Sequence, residues 1–146
     1  MASATLRDEY LRWLRAAAPA LVLPFVSMAL VQWASAAAWW SSGPPPSGAA
    51  RYLFLAVGAA CVVVGRDSRT RDTTSPPLEP AQLRSLSWRL VFYALAPVAI
   101  GVVLTLMTRQ VLDFYAMLAV TLVGLVLLFP RYDQWMSWAA SPPEVS

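Results

Sequence analysis

Long apolar runs alternate with short polar breaks along this chain. Four runs stand out: about 17–40 (AAPALVLPFVSMALVQWASAAAWW), 52–65 (YLFLAVGAACVVVG), about 90–108 and about 111–129. A helix needs about 20 apolar residues to cross a hydrocarbon core roughly 30 Å thick, and the first, third and fourth runs reach that length. The second covers only about 21 Å at 1.5 Å per residue. To cross, it must borrow Ala49, Ala50 and the snorkelling stem of Arg51, giving a span of about 49–65. Local thinning of the bilayer would absorb the remaining mismatch. A re-entrant second run would leave the first helix without an adjacent antiparallel partner, so four crossings are expected. The expected fold is an all-α membrane protein, a single domain of four transmembrane helices arranged as two antiparallel hairpins. A linker falls at 66–89 and a tail at 130–146.

The polar breaks set the orientation. All 11 basic residues are arginine. Nine of the 11 fall on one side: Arg7, Arg12 and Arg15 before the first run, Arg66, Arg69, Arg71, Arg84 and Arg89 in the linker, and Arg131 after the fourth. Arg51 and Arg109 fall on the other. The positive-inside rule then makes both termini and the linker cytoplasmic. Trp13, Trp39, Trp40, Trp88, Trp135 and Trp138 lie near the expected span ends, where amphipathic rings are favoured. In the linker, Arg and Asp alternate before Pro76, Pro77 and Pro80 interrupt any helix. PAQLRSLSWRL then reads as an amphipathic turn or two leading into the third span. The linker is expected to be a solvated connection. A docking segment for a partner or anionic lipid is the alternative, weakened by the dilution of its charge by Asp67, Asp72 and Glu79. SSGPPPSG reads as a stiff polyproline connector. An Arg-flanked apolar stretch followed by ASA at 34–36 also has the form of a signal peptide. The run is long and continues through AAWW, which favours an uncleaved span.

Composition agrees with a lipid solvent: 58% of residues are hydrophobic and 13% charged, against roughly a quarter charged in soluble domains. Net charge is +3, but the arginines form no continuous basic, aromatic-studded surface of the kind that nucleic acid needs. There is no His, and the lone Cys61 has no partner for a disulfide, a zinc site or a redox pair. No phosphate-binding loop occurs. No catalytic residue, metal ligand or cofactor is implied, and an enzyme is not expected.

Asp113 is the carboxylate that merits attention. It follows the start of the fourth run, with Arg109 four positions before it. It could be an ion ligand or proton carrier near the outer face. The expected role is a first-turn acid, stabilised by the helix dipole by about 0.3–1 kcal/mol, paired with Arg109 and reached by water. Gln32 could hydrogen-bond between helices, worth about 0.6 kcal/mol on average in membranes. Ala29, Ala36, Gly58, Ala59, Gly101, Ala116, Ala119 and Gly124 mark faces where helices can approach closely. Pro24 and Pro97 kink the first and third spans and could open a cavity between them. In FPRYDQWMSW, Pro130 ends the fourth helix. Trp135 and Trp138, three apart, would share one face of a short helix lying on the interface, or would serve as partner contacts.

YALAPVAIGVVLTLMT, followed by a polar elbow and a second apolar helix, resembles the hairpin of rotary-ATPase proteolipid subunits over about 35 positions. That family needs a mid-membrane carboxylate. Here the third span offers Ala96, Pro97 and Val98, and the fourth has nothing acidic beyond Asp113. The whole layout, including FPRYDQW, is similar to small four-span bacterial inner-membrane proteins of uncharacterised function. That resemblance implies a multi-pass protein of the bacterial inner (cytoplasmic) membrane and carries no activity with it. The expected role is a non-catalytic accessory, assembly or structural subunit of a larger membrane complex. Its partners would be the lipid bilayer and other membrane subunits or copies of itself. The alternative is a small homo-oligomeric transporter or channel whose flux depends on Gln32, Arg109 or Asp113.

Overall fold

The computed structural model describes residues 2–37, 48–74 and 77–140, with side chains from residue 5 and without that of Ala50. Among these residues all regular structure is helical: α1 (Ala2–Ala36), α2 (Gly48–Asp72), α3 (Pro80–Thr108), α4 (Val111–Leu128) and α5 (Tyr132–Ala139). Trp39, Trp40, most of the expected polyproline connector and the end of the tail lie outside the described residues.

Three helices are long and apolar enough to cross a membrane: α1 over Thr5–Ala36, α3 and α4. Their outer surfaces are apolar too, with Phe25, Trp33, Phe92, Leu112 and Val126 all exposed. A protein that turns such side chains outward over the length of its helices is built for lipid or for other subunits. α2 has 25 residues, about 37 Å of rise, but carries Arg51 near one end and Arg66, Asp67, Arg69, Arg71 and Asp72 at the other.

Contacts fix the directions. Glu9 of α1 meets Arg84 near the start of α3, and Tyr10 donates to the carbonyl of Pro130 just past α4 at 3.3 Å. Arg69, near the end of α2, donates to the Leu127 carbonyl at the end of α4 at 3.0 Å. Arg51, near the start of α2, reaches Asp113 at the start of α4. The helices therefore run up, down, up, down. The nine arginines counted to one side gather at the end where α1 begins, α2 ends and α5 lies.

α3 is the hub and touches α1, α2, α4 and α5. The α3–α4 hairpin is closely packed, as expected. The first hairpin is not: α1 and α2 run antiparallel but do not touch, and α1 packs instead on α3, α4 and α5. The reason is steric. α2 turns Gly58 and Gly65 toward its neighbours. Each leaves no room for a Cβ, which would fall 2.7 Å from Met117 Sδ or from Leu128 Cδ1. Those close approaches commit α2 to α3 and α4. The antiparallel partner expected for α1 is thus supplied by α4 rather than α2.

One further expectation changes. The first part of the supposed linker is helix, because α2 continues to Asp72, while α3 starts at Pro80, where an amphipathic turn or two was expected. Asp67 and Arg71 make an i,i+4 ion pair at 2.7 Å, a local support for exposed helix. Asp72 pairs with Arg89 at 2.9 Å and ties α2 to α3 across the gap. Pro80 occupies the first turn of α3, where its missing N–H costs nothing, and Gln82 Oε1 accepts the Glu79 N–H at 3.0 Å. The span prolines lie within continuous helices. α1 runs through Pro19 and Pro24 and α3 through Pro97, and Pro97 is packed against Gly58.

Candidate functional site

The charged groups collect at the two ends of the bundle. At the elbow, α3 stops at Arg109, whose backbone is left-handed (φ 55°, ψ 28°) and whose N–H donates to the Thr105 carbonyl at 2.7 Å. This is the αL way of ending a helix, usually given to glycine. Gln110 is extended, and α4 begins at Val111 with Asp113 in its first turn.

Asp113 is buried, its side chain only 4% exposed. Its partner comes from α2: Arg51 Nε donates to Asp113 Oδ1, and Arg51 Nη2 donates to Gln110 Oε1. The expected pairing with Arg109 is corrected. The i,i+4 rule holds within one continuous helix, and the left-handed turn at Arg109 takes its side chain out of that register. The expected hydration of Asp113 is corrected as well, because α2 covers the elbow. Asp113 Oδ2 and Arg109 Nη1 are among the atoms that remain buried without a hydrogen-bond partner. Gln32, at the same end of α1, donates to the Tyr115 hydroxyl. Gln32, Arg109 and Asp113 thus lie at one end of the molecule but in separate contacts.

Trp135 and Trp138 lie at the opposite end. They do share one face of α5, but that face turns into the protein, with Trp135 fully buried and Trp138 8% exposed. The expectation that they lie on the membrane interface is corrected. The interior takes the rings because it satisfies them. Trp135 Nε1 donates to Ser87 Oγ of α3 at 2.9 Å, and the ring stands edge-on to Tyr10 at 5.3 Å between centroids. Trp13 contacts Tyr10, Trp88, Phe129 and Trp135 at 5.6–6.4 Å. The Arg69 guanidinium stacks over Trp138 at 5.6 Å while its Nη1 serves the Leu127 carbonyl, one of the orphan acceptors of a helix C-terminus.

Between the ends, α3 carries no charged residue from Leu90 to Thr108 and α4 none after Asp113. Met117 fills this region. A Cβ on Gly101 of α3 would fall 2.6 Å from Met117 Cβ, and one on Gly58 of α2 would fall 2.7 Å from its Sδ. Met117 is therefore a knob set between two glycines of two helices.

Reading the sequence missed Arg51, Gln110, Tyr115 and Ser87 as contact residues. A signal existed for Arg51 alone: the side poor in arginine held two cations, Arg51 and Arg109, and one nearby acid. No family model, curated protein or solved structure matches the chain.

Proposed function

We propose that this chain is a non-catalytic accessory or assembly subunit of a larger complex in a bacterial inner membrane. In this reading α2 is a fourth span, and both termini and the α2–α3 connection face the cytoplasm. The up-down-up-down course and the gathering of nine arginines at one end support that orientation. The ion pair of Arg51 with Asp113 supports a full crossing by α2, since it ties the start of α2 to the elbow while Arg69 ties its end to α4.

The observation that carries the accessory role is the contrast between α1 and α3. In α3, 44% of the most apolar stretch is buried within the chain; in α1 only 17% is. α1 keeps a long apolar side uncovered, while the centre of the α2–α3–α4 bundle is filled by Met117 rather than by an ionisable group. A helix with that much free surface suits docking against another subunit. Purification from native membranes in a mild detergent, with the mass of the intact assembly measured, tests it. A stoichiometric unrelated membrane partner is the expected result.

The second reading is a small homo-oligomeric transporter or channel. It is favoured by the unpartnered Asp113 Oδ2 and Arg109 Nη1, buried at the elbow. A pure homo-oligomer whose reconstituted flux falls with Asp113→Asn would replace the first reading with this one.

A further inference from the structure

The seam where α1 meets α3 holds two adjoining hollows at the arginine-rich end, and Trp88 belongs to both. The outer one is a cavity of about 150 Å³ walled by Glu9, Arg12, Trp13, Ala16, Arg84 and Trp88. The deeper one is a mainly apolar groove of about 490 Å³ whose walls include Ala20, Leu23, Val91, Phe92 and Leu95, together with Arg89, which pairs with Asp72.

Charge in the outer cavity does not balance. Glu9 is held by Arg12 at 3.0 Å and by Arg84 at 2.7 Å. Two guanidinium groups share one carboxylate, which leaves one net positive charge and most of their N–H donors uncommitted. Trp13, 2% exposed, packs beneath them, with its indole N–H buried away from the cavity. The polar groups left over on these walls are donors, so the complementary ligand is an anionic acceptor, and a phosphodiester suits guanidinium donors well.

The donors alone would serve free phosphate equally. The groove decides between the two. It runs from Trp88 to Leu95 on α3, about 10 Å of helical rise, and from Ala20 to Leu23 on α1. That is about a third of a hydrocarbon core roughly 30 Å thick, enough for the upper part of an acyl chain within one leaflet. A cationic cavity next to an apolar groove, with Trp88 lining both, suits a lipid headgroup and the upper part of its chain.

We propose that the α1–α3 seam binds one anionic phospholipid, its phosphodiester between Arg12 and Arg84 and an acyl chain along Ala20, Leu23, Val91 and Leu95. The proposal rests on α1 and α3 lying across the bilayer. It does not depend on whether the chain is an accessory subunit or a transporter.

Native mass spectrometry of the full chain in mild detergent, titrated with phosphatidylglycerol or with phosphatidylcholine of the same chains, tests it. One phosphatidylglycerol per chain should be retained with at least tenfold preference. The double variant Arg12→Gln/Arg84→Gln should abolish that preference. Ala20→Phe, which fills the groove and leaves both arginines, should weaken binding of both lipids. Arg71→Gln, on α2 and paired with Asp67, should change nothing. Equal retention of the two lipids by the native chain would overturn the proposal, as would undiminished preference in the double variant. So would displacement by glycerol phosphate at equal concentration, which would make the cavity a small-anion pocket. Should the double variant fail to fold in detergent, the native preference and Ala20→Phe decide the matter. Discovery that the chain is a homo-oligomer would end the accessory reading and leave this result standing.

Discussion

Both ends of the bundle carry ion pairs, but the arginine-rich end adds a cluster of interlocked rings. At the arginine-rich end, rings from α1, α3, α5 and the end of α4 interlock, with the Trp135–Ser87 hydrogen bond at their centre. At the elbow end, α2 is joined to α4 through Arg51, whose side chain is 32% exposed, and through a buried carboxylate with one oxygen unsatisfied. Ring burial adds up over many contacts and needs no exact orientation. A charged contact concentrates its effect in one geometry and leaves a cost behind when that geometry is incomplete. The arginine-rich end should therefore resist unfolding more, and the elbow should be where the bundle opens.

Trp135→Ala should produce the largest effect. It empties a fully enclosed site and leaves Ser87 without its donor, so unfolding in detergent should show a loss of about 3–5 kcal/mol. A smaller loss than that of any elbow variant would reverse the ranking of the two ends.

The middle of the bundle sharpens the comparison. Gly101→Ala places its Cβ against Met117 Cβ, an atom that cannot swing away, and should cost about 1–3 kcal/mol. Gly58→Ala meets the flexible thioether of the same Met117 and should cost less. Equal losses, measured by thermal unfolding, would mean that Met117 is not the wedge between these helices.

At the elbow, a double-mutant cycle of Arg51→Gln and Asp113→Asn should give a coupling of about 1–2 kcal/mol. A charge-assisted bond in a closed site can reach the upper end, but Arg51 is partly exposed and solvent reduces it. The same cycle between Arg109 and Asp113 should give none. The smallest expected change has the opposite sign. Arg109→Gly relieves a left-handed backbone and removes a buried unpaired donor, and should raise stability by about 1 kcal/mol; a decrease would show that the Arg109 side chain has a partner of its own.

These contacts differ in how far they could be read from residues alone. The α3–α4 elbow was legible because Arg109 and Gln110 interrupt two apolar runs, and the short helix α5 was legible from the break at Pro130. The end of α2 was misread because Arg66–Asp72 has the composition of a loop, although its ion pairs also stabilise a helix. The tryptophans were misplaced because an indole suits a membrane interface or a protein interior equally well. The deciding group for Trp135, the Ser87 hydroxyl, lies 48 positions away. Asp113 was paired with the nearest cation in sequence rather than with one 62 positions earlier.

Apolar run length and arginine distribution by themselves determined the long helices and which of their ends belong together, because both depend on local composition and on charge counted over whole segments. Only the tertiary structure decided that α1 and α2 do not touch, that Arg51 meets Asp113, and that Trp135 and Trp138 face inward. Each of those facts depends on how a helix is rotated about its own axis. A helix that is apolar nearly all round carries no stripe to set that rotation. It is set by close approach, glycine by glycine and ring by ring, between residues far apart in the chain.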